Sequence, residues 1–98
     1  MTNTEAIYIA GPMTGLENFN RQAFCDAQSF LESLGFTTLN PAILPSGLTQ
    51  GQYMDICFAM IRACSSIFML DGYKESDGAL AELAYAKKLG YEITYEEL

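Results

Sequence analysis

The sequence predicts an α/β domain, a small three-layer flavodoxin- or Rossmann-like fold with a parallel sheet of about four strands in the order 2-1-3-4. Two observations predict it. Short apolar, β-leaning runs recur at Ala6–Ala10, Phe36–Leu39, Ser66–Leu70 and Tyr91–Thr94, and between them lie segments whose apolar residues repeat at helical spacing. Strands that alternate with helices call for a parallel sheet, right-handed crossovers and helices on both faces. With 98 residues, half of them hydrophobic, the chain suits one domain over 1–98 with one modest core.

The first strand ends at Gly11-Pro12, and the loop from Gly11 to Gly15 leads to the clearest helical pattern in the chain. Phe19, Ala23, Phe24, Ala27, Phe30, Leu31 and Leu34 share one face until Gly35, the expected C-cap. The second strand is cut at Asn40-Pro41, and the segment through Pro45, Ser46 and Gly47 reads as loop. Tyr53, Ile56, Cys57, Met60, Ile61 and Cys64 then mark a second helix, and Asp77 to Leu89 a third, closed by Gly90. Internal repeats, low-complexity stretches and linkers are absent from the sequence. Ligands in such folds bind beyond the carboxyl ends of the strands where the winding reverses. For the order 2-1-3-4 that crevice lies between residues 11–17 and 71–77, both rich in Gly and polar residues.

Composition removes several function classes. Lys plus Arg number 5 against 12 Asp plus Glu, a net charge of −7, and such a surface repels duplex nucleic acid. A small nucleotide stays open, because helix termini and amides decide whether a pocket holds one phosphate. No apolar run approaches the roughly 18 residues of a membrane span, and the N-terminus lacks the basic segment of a secretory signal, so a cytoplasmic location is expected. The chain has no histidine, which removes Ser-His-Asp and Cys-His catalysis and histidine metal sites together. Cys25, Cys57 and Cys64 form no CxxC pair, arguing against a disulfide framework and a zinc site; no metal and no cofactor are expected. Cys57 and Cys64 share the apolar face of the second helix and read as core packing.

Chemistry is concentrated in Ser76-Asp77-Gly78-Ala79-Leu80-Ala81-Glu82, which turns from the third strand into the third helix. Glu82 stands on the flank of the helix's apolar stripe with no Lys or Arg four residues on, so a surface ion pair explains it poorly. It is either a solvated helix glutamate or a carboxylate kept ionised by the positive helix end and able to attack an anomeric carbon. Ser76 is an N-cap, an anion ligand together with the free N–H groups of Gly78 and Ala79, or both. Gly11, Pro12 and Met13 would line the pocket, although Gly11 to Gly15 matches neither GxGxxG nor GxxxxGK[ST]. Tyr8 is a buried aromatic whose hydroxyl could orient a carboxylate. Asp55 opens the second helix, where an acidic residue commonly answers the dipole, whereas Asp71 at the end of the third strand is better placed for binding.

Tyr8-Ile9-Ala10-Gly11-Pro12-Met13-Thr14-Gly15, Leu39-Asn40-Pro41, Tyr53-Met54-Asp55 and Ser76-x-Gly78-Ala79-x-x-Glu82-x-x-x-Ala86-x-x-x-Gly90 span nearly the whole chain. Together they resemble small phage and prophage proteins related to the nucleoside 2-deoxyribosyltransferases and the deoxynucleoside 5′-monophosphate N-glycosidases. The resemblance implies a cofactor-free N-glycosidic reaction in which Glu82 is the nucleophile and Tyr8 holds it in place. It also implies an aspartate that helps protonate the leaving base, aligned near Asp55 or Cys57, and a serine at position 76 that favours a 5′-phosphate. Residues two apart on a helix point to nearly opposite sides, so at most one of Asp55 and Cys57 faces the crevice. Ser65 and Tyr73 depart from the pattern, standing where those relatives more often carry an aspartate and a tryptophan.

The expected partner is a small nucleoside or nucleotide, cleaved or transferred at its N-glycosidic bond. One alternative is a binding or sequestering protein without catalysis on the same scaffold. Another is an interaction module using the third helix and the acidic tail, Tyr95 to Leu98. With four short strands and a large apolar fraction, the domain is also expected to bury surface in a homodimer or larger ring.

Overall fold

A computed structural model describes residues 6–96. Its strands are β1 (Ala6–Ala10), β2 (Thr37–Leu39), β3 (Ser66–Met69) and β4 (Glu92–Tyr95), and its helices are α1 (Arg21–Ser33), α2 (Gln50–Arg62) and α3 (Asp77–Lys88). Short 3-10 turns occupy Glu17–Asn20, Pro41–Ile43 and Tyr73–Glu75. All three strand pairs are parallel and the sheet order is β2-β1-β3-β4, the order expected from the sequence.

Alternation along the strands divides the core into two layers. Successive strand side chains point to opposite faces, so Ile7 and Ile9 of β1 join Phe68 of β3 against Phe24, Ala27 and Leu31 of α1. Tyr8 and Ala10 join Ile67 and Met69 against the other side, where Cys57 and Ile61 of α2 meet Ala79, Leu83 and Ala86 of α3. The result is three layers, with α1 on one face and α2 with α3 on the other. Phe58 and Tyr85 stack across the α2–α3 contact, their ring centroids 4.4 Å apart.

The helix ends follow from local chemistry. Gly35 and Gly90 adopt φ of +95° and +78°, and each closes its helix with the paired hydrogen bonds of a Schellman turn: Gly35 N–H to Glu32 O with Phe36 N–H to Leu31 O, and Gly90 N–H to Lys87 O with Tyr91 N–H to Ala86 O. Two starts differ from expectation. α1 begins at Arg21, because Asn18, Phe19 and Asn20 have left-handed φ values of 49°, 54° and 60°, which break the right-handed helix that Phe19 was expected to join. α2 begins at Gln50, earlier than the periodicity suggested: Thr49 and Gln52 form a reciprocal capping box. Asp55 therefore lies in the body of the helix and not in its first turn.

The turns that follow β1 and β3 press together. A Cβ added to Gly11 would stand 2.7 Å from Leu70 Cβ, and one added to Gly72 would stand 3.3 Å from Pro12 Cγ. Gly11→Ala is therefore expected to destabilise the domain by about 1–3 kcal/mol through forced separation of these turns. Equilibrium urea unfolding measures this directly, and an unchanged midpoint would contradict the packing described.

Candidate active site

Glu82 is set on the buried face of α3. Ala79, Glu82, Leu83 and Ala86 recur at i, i+3, i+4 and i+7, so the stripe that packs α3 on the sheet carries a carboxylate among alanines and leucine. Its residue exposure is 7 %, and Tyr8, fully buried in the middle of β1, donates a hydrogen bond from Oη to Glu82 Oε2 at 2.8 Å. The Cys57 thiol from α2 adjoins both groups. Strand, helix and helix thus converge on one carboxylate.

Burial governs the electrostatics. Desolvation pushes the Glu82 carboxyl from 4.5 up to about 7, and the hydrogen bonds from Tyr8 and Cys57 pull against that rise without cancelling it. The ionised state expected from the nearby helix end is therefore not dominant. Position explains the difference, since Glu82 lies a full turn past the free N–H groups and inside the apolar layer, where loss of water outweighs the dipole. The Tyr8 hydroxyl is raised well above 10 by burial and then by the neighbouring Glu82, and burial lifts the Cys57 thiol to about 11. Both stay protonated near neutrality, so Tyr8 serves as a donor to the carboxylate.

Above this floor lies a cleft of about 740 Å³ at the carboxyl ends of the strands. Gly11, Pro12 and Met13 form one wall, Ser76, Gly78 and Ala79 another, and Glu82 and Cys57 the base. Ser76 is the N-cap of α3, with its Oγ accepting from Ala79 N–H at 3.1 Å. The Ala79 N–H expected to be free is therefore occupied. The N–H groups of Asp77 and Gly78 precede the first intrahelical bond, Leu80 N–H to Ser76 O, and the Ser76 hydroxyl hydrogen is available to donate.

Asp55 and Asp71 stand elsewhere. Asp55 is exposed on α2 and does not line the cleft, while Cys57, on the opposite side of that helix, does. Asp71 is exposed, lies outside the cleft and turns toward β4, its backbone N–H donating to Glu96 Oε1 at 2.8 Å. The sequence reading also missed the wall formed by Phe19, Arg21, Pro41, Leu44, Leu48 and Tyr53. Arg21 is the one basic side chain among the lining residues, which include the carboxylates of Glu75 and Asp77. A second depression, about 570 Å³ and lined by Leu16, Glu17, Asn18, Asn20 and Gln22, holds no buried titratable group.

Among the described residues no cluster of three His, Cys, Asp or Glu side chains could hold a metal ion, and no helix is long and apolar enough to cross a membrane. A family model described as a domain of unknown function, DUF4406, matches residues 5–95. The chain belongs to the DUF4406 family. Among solved structures, this DUF4406 chain is similar to a 2-desoxiribosyltransferase from Leishmania mexicana at a TM-score of 0.73 and 25% identity. That match covers 93% of this chain and 63% of the other, so the chain spans less than two thirds of its neighbour's length. None of the curated proteins matches it.

A carboxyl whose pKa is raised by folding binds its proton more tightly in the native state, so its stabilising contribution is complete below 4.5 and is lost as pH climbs toward about 7. At ~1.4 kcal/mol per pKa unit, ionising Glu82 costs the fold about 3 kcal/mol by pH 8. Glu82→Gln, which keeps an acceptor for Tyr8, is expected to flatten the decline in unfolding free energy between pH 5 and pH 8. Parallel pH profiles in the two proteins would contradict a buried Glu82.

Proposed function

We propose that this DUF4406 domain cleaves or transfers the N-glycosidic bond of a nucleoside or nucleotide through Glu82. The observation that supports it most is the Tyr8–Glu82 hydrogen bond at the base of a cleft of nucleotide dimensions. The structural likeness to a 2-desoxiribosyltransferase points the same way.

Tyr8 engages Oε2, and Oε1 would meet the sugar. In the first step ionised Glu82 forms a bond to the anomeric carbon as the carbon–nitrogen bond breaks, its electron pair leaving with the base. Water or a second base then attacks the same carbon and releases Glu82, giving hydrolysis or transfer. Asp55 stands outside the cleft, and the other lining carboxylates, Glu75 and Asp77, flank Ser76 at the phosphate end, so the departing base takes its proton from water. Gly11, Pro12 and Met13 would line the sugar's side of the pocket. The Ser76 hydroxyl and the N–H groups of Asp77 and Gly78 would hold a 5′-phosphate. Large apolar side chains left exposed at Phe30, Leu34 and Ile43 support self-association of the domain.

A binding protein without catalysis is the second reading. It is favoured by one feature: the cleft position beside Glu82 that could carry an acid holds Cys57, whose thiol near 11 is a weak proton donor.

Chromatography of free base separates the two. Wild type is expected to release base, with kcat/KM rising through pH 7 as Glu82 ionises, and Glu82→Gln should lower kcat by on the order of 10³-fold or more. Tight nucleotide binding by wild type with no base released would favour the second reading. Ser76→Ala should raise KM for a 5′-monophosphate far more than for the matching nucleoside, while removing about 1 kcal/mol of helix capping. Equal effects on both substrates would detach Ser76 from the phosphate.

A further inference from the structure

Phe19 does not behave as the sequence suggests, and Arg21 stands against it. Phe19 belongs to the periodic pattern of α1, yet its backbone is left-handed at φ 54°, between Asn18 at 49° and Asn20 at 60°, and its side chain is 43 % exposed in the wall of the cleft. Asparagine tolerates this conformation, but a bulky aromatic pays a steric penalty for it, and such strain persists only where surrounding contacts impose it. Those contacts are present. Asn20 Nδ2 donates to Pro12 O at 3.0 Å, tying the segment to the first glycine loop. Arg21 Nε donates to Ala42 O at 3.2 Å and its Nη1 to Asn18 Oδ1 at 3.1 Å, and its guanidinium carbon stands 5.1 Å from the Phe19 ring centroid.

We infer that Arg21, held against Phe19, is the group that selects the base, and that it selects one presenting adjacent hydrogen-bond acceptors, a 6-oxopurine. The inference rests on the reading of the cleft as a nucleotide site. A guanidinium carries five N–H donors and no acceptor; two are engaged, so three remain. Its planar fork matches the O6 and N7 acceptors of guanine or hypoxanthine, whereas adenine turns an amino donor toward it, and cytosine, whose O2 acceptor adjoins the sugar-bearing nitrogen, presents its amino group at the end far from the sugar. Topology places this group correctly. Ala42 lies in the turn after β2 and Ser76 in the turn after β3, and those strands flank β1 on opposite sides. At ~4.8 Å per strand the two ends of the cleft are roughly 10 Å apart, the scale of one nucleotide with its phosphate at Ser76 and its base at Arg21.

Binding measured by calorimetry on Glu82→Gln, which holds the ligand without reacting, tests this separately from catalysis. The probes are the 5′-monophosphates of deoxyinosine, deoxyguanosine, deoxyadenosine and deoxycytidine. The 6-oxopurine nucleotides are expected to bind at least about 10-fold more tightly than the other two, and adding Arg21→Lys, which keeps the charge and loses the fork, should erase that preference. Equal affinity for all four overturns the inference whatever the Arg21 variant does. A uniform weakening of all four by Arg21→Lys also overturns it, since that would place the phosphate at Arg21. If wild type releases no base but the preference holds, the catalytic reading fails and this one stands; if no nucleotide binds, both fail.

Discussion

A carboxylate placed inside an apolar layer must either lose its charge or be met by donors, and the Tyr8–Glu82 hydrogen bond is where this chain meets that demand. It joins residues 74 positions apart, the centre of the first strand and the inner face of the last helix. Tyr8 reaches Glu82 because strand alternation turns it toward α2 and α3, while its neighbours Ile7 and Ile9 face α1. The donor softens the cost of burial without removing it, and the carboxyl remains poised near 7. A group that holds a proton as readily as it gives one up near neutrality is suited to react, and costs the fold stability whenever it is ionised.

The sheet order turns that pair into a site. β1 and β3 are adjacent and central, and their following turns touch through Gly11 and Leu70 and through Pro12 and Gly72. Close contact at this point fixes the two sides of the cleft relative to Glu82. The β2 end supplies a different chemistry: an aromatic ring and a guanidinium restrained by backbone and asparagine oxygens. One end of the cleft therefore offers hydroxyl and amide donors, the middle a carboxylate, and the far end a planar fork. The N-cap hydrogen bond from Ala79 N–H holds Ser76 at the terminus of α3.

What the sequence disclosed follows the range of the forces involved. Strand order and helix count were legible, because apolar periodicity and Gly-Pro punctuation are local signals and the parallel arrangement follows from their alternation. Glu82, Ser76 and the Gly11 loop were legible as one cleft for the same reason. The start of α1 was not: three consecutive left-handed residues, one of them Phe19, are held by Asn20 on Pro12 and by Arg21 on Ala42, side-chain-to-backbone contacts that apolar periodicity does not report. The capping box of Thr49 and Gln52 was readable but was outweighed by the periodicity that begins at Tyr53. That only one of Asp55 and Cys57 could face the crevice was foreseeable; that it is Cys57 required the packing of α2 on the sheet. The raised Glu82 carboxyl was hidden because burial is a property of the assembled layers, and a helix end judged alone suggests the opposite sign. The third-helix and acidic-tail alternative falls partly on residues 97–98, outside the described residues.

Site-specific carbon NMR titration of the Glu82 carboxyl reads this interaction without reliance on any substrate. A midpoint near 7 is expected, rising further in Tyr8→Phe because the hydroxyl that favours the ionised form is gone. A midpoint at the ordinary 4.5, indifferent to the loss of the Tyr8 hydroxyl, would show a solvated glutamate and contradict the account at its foundation.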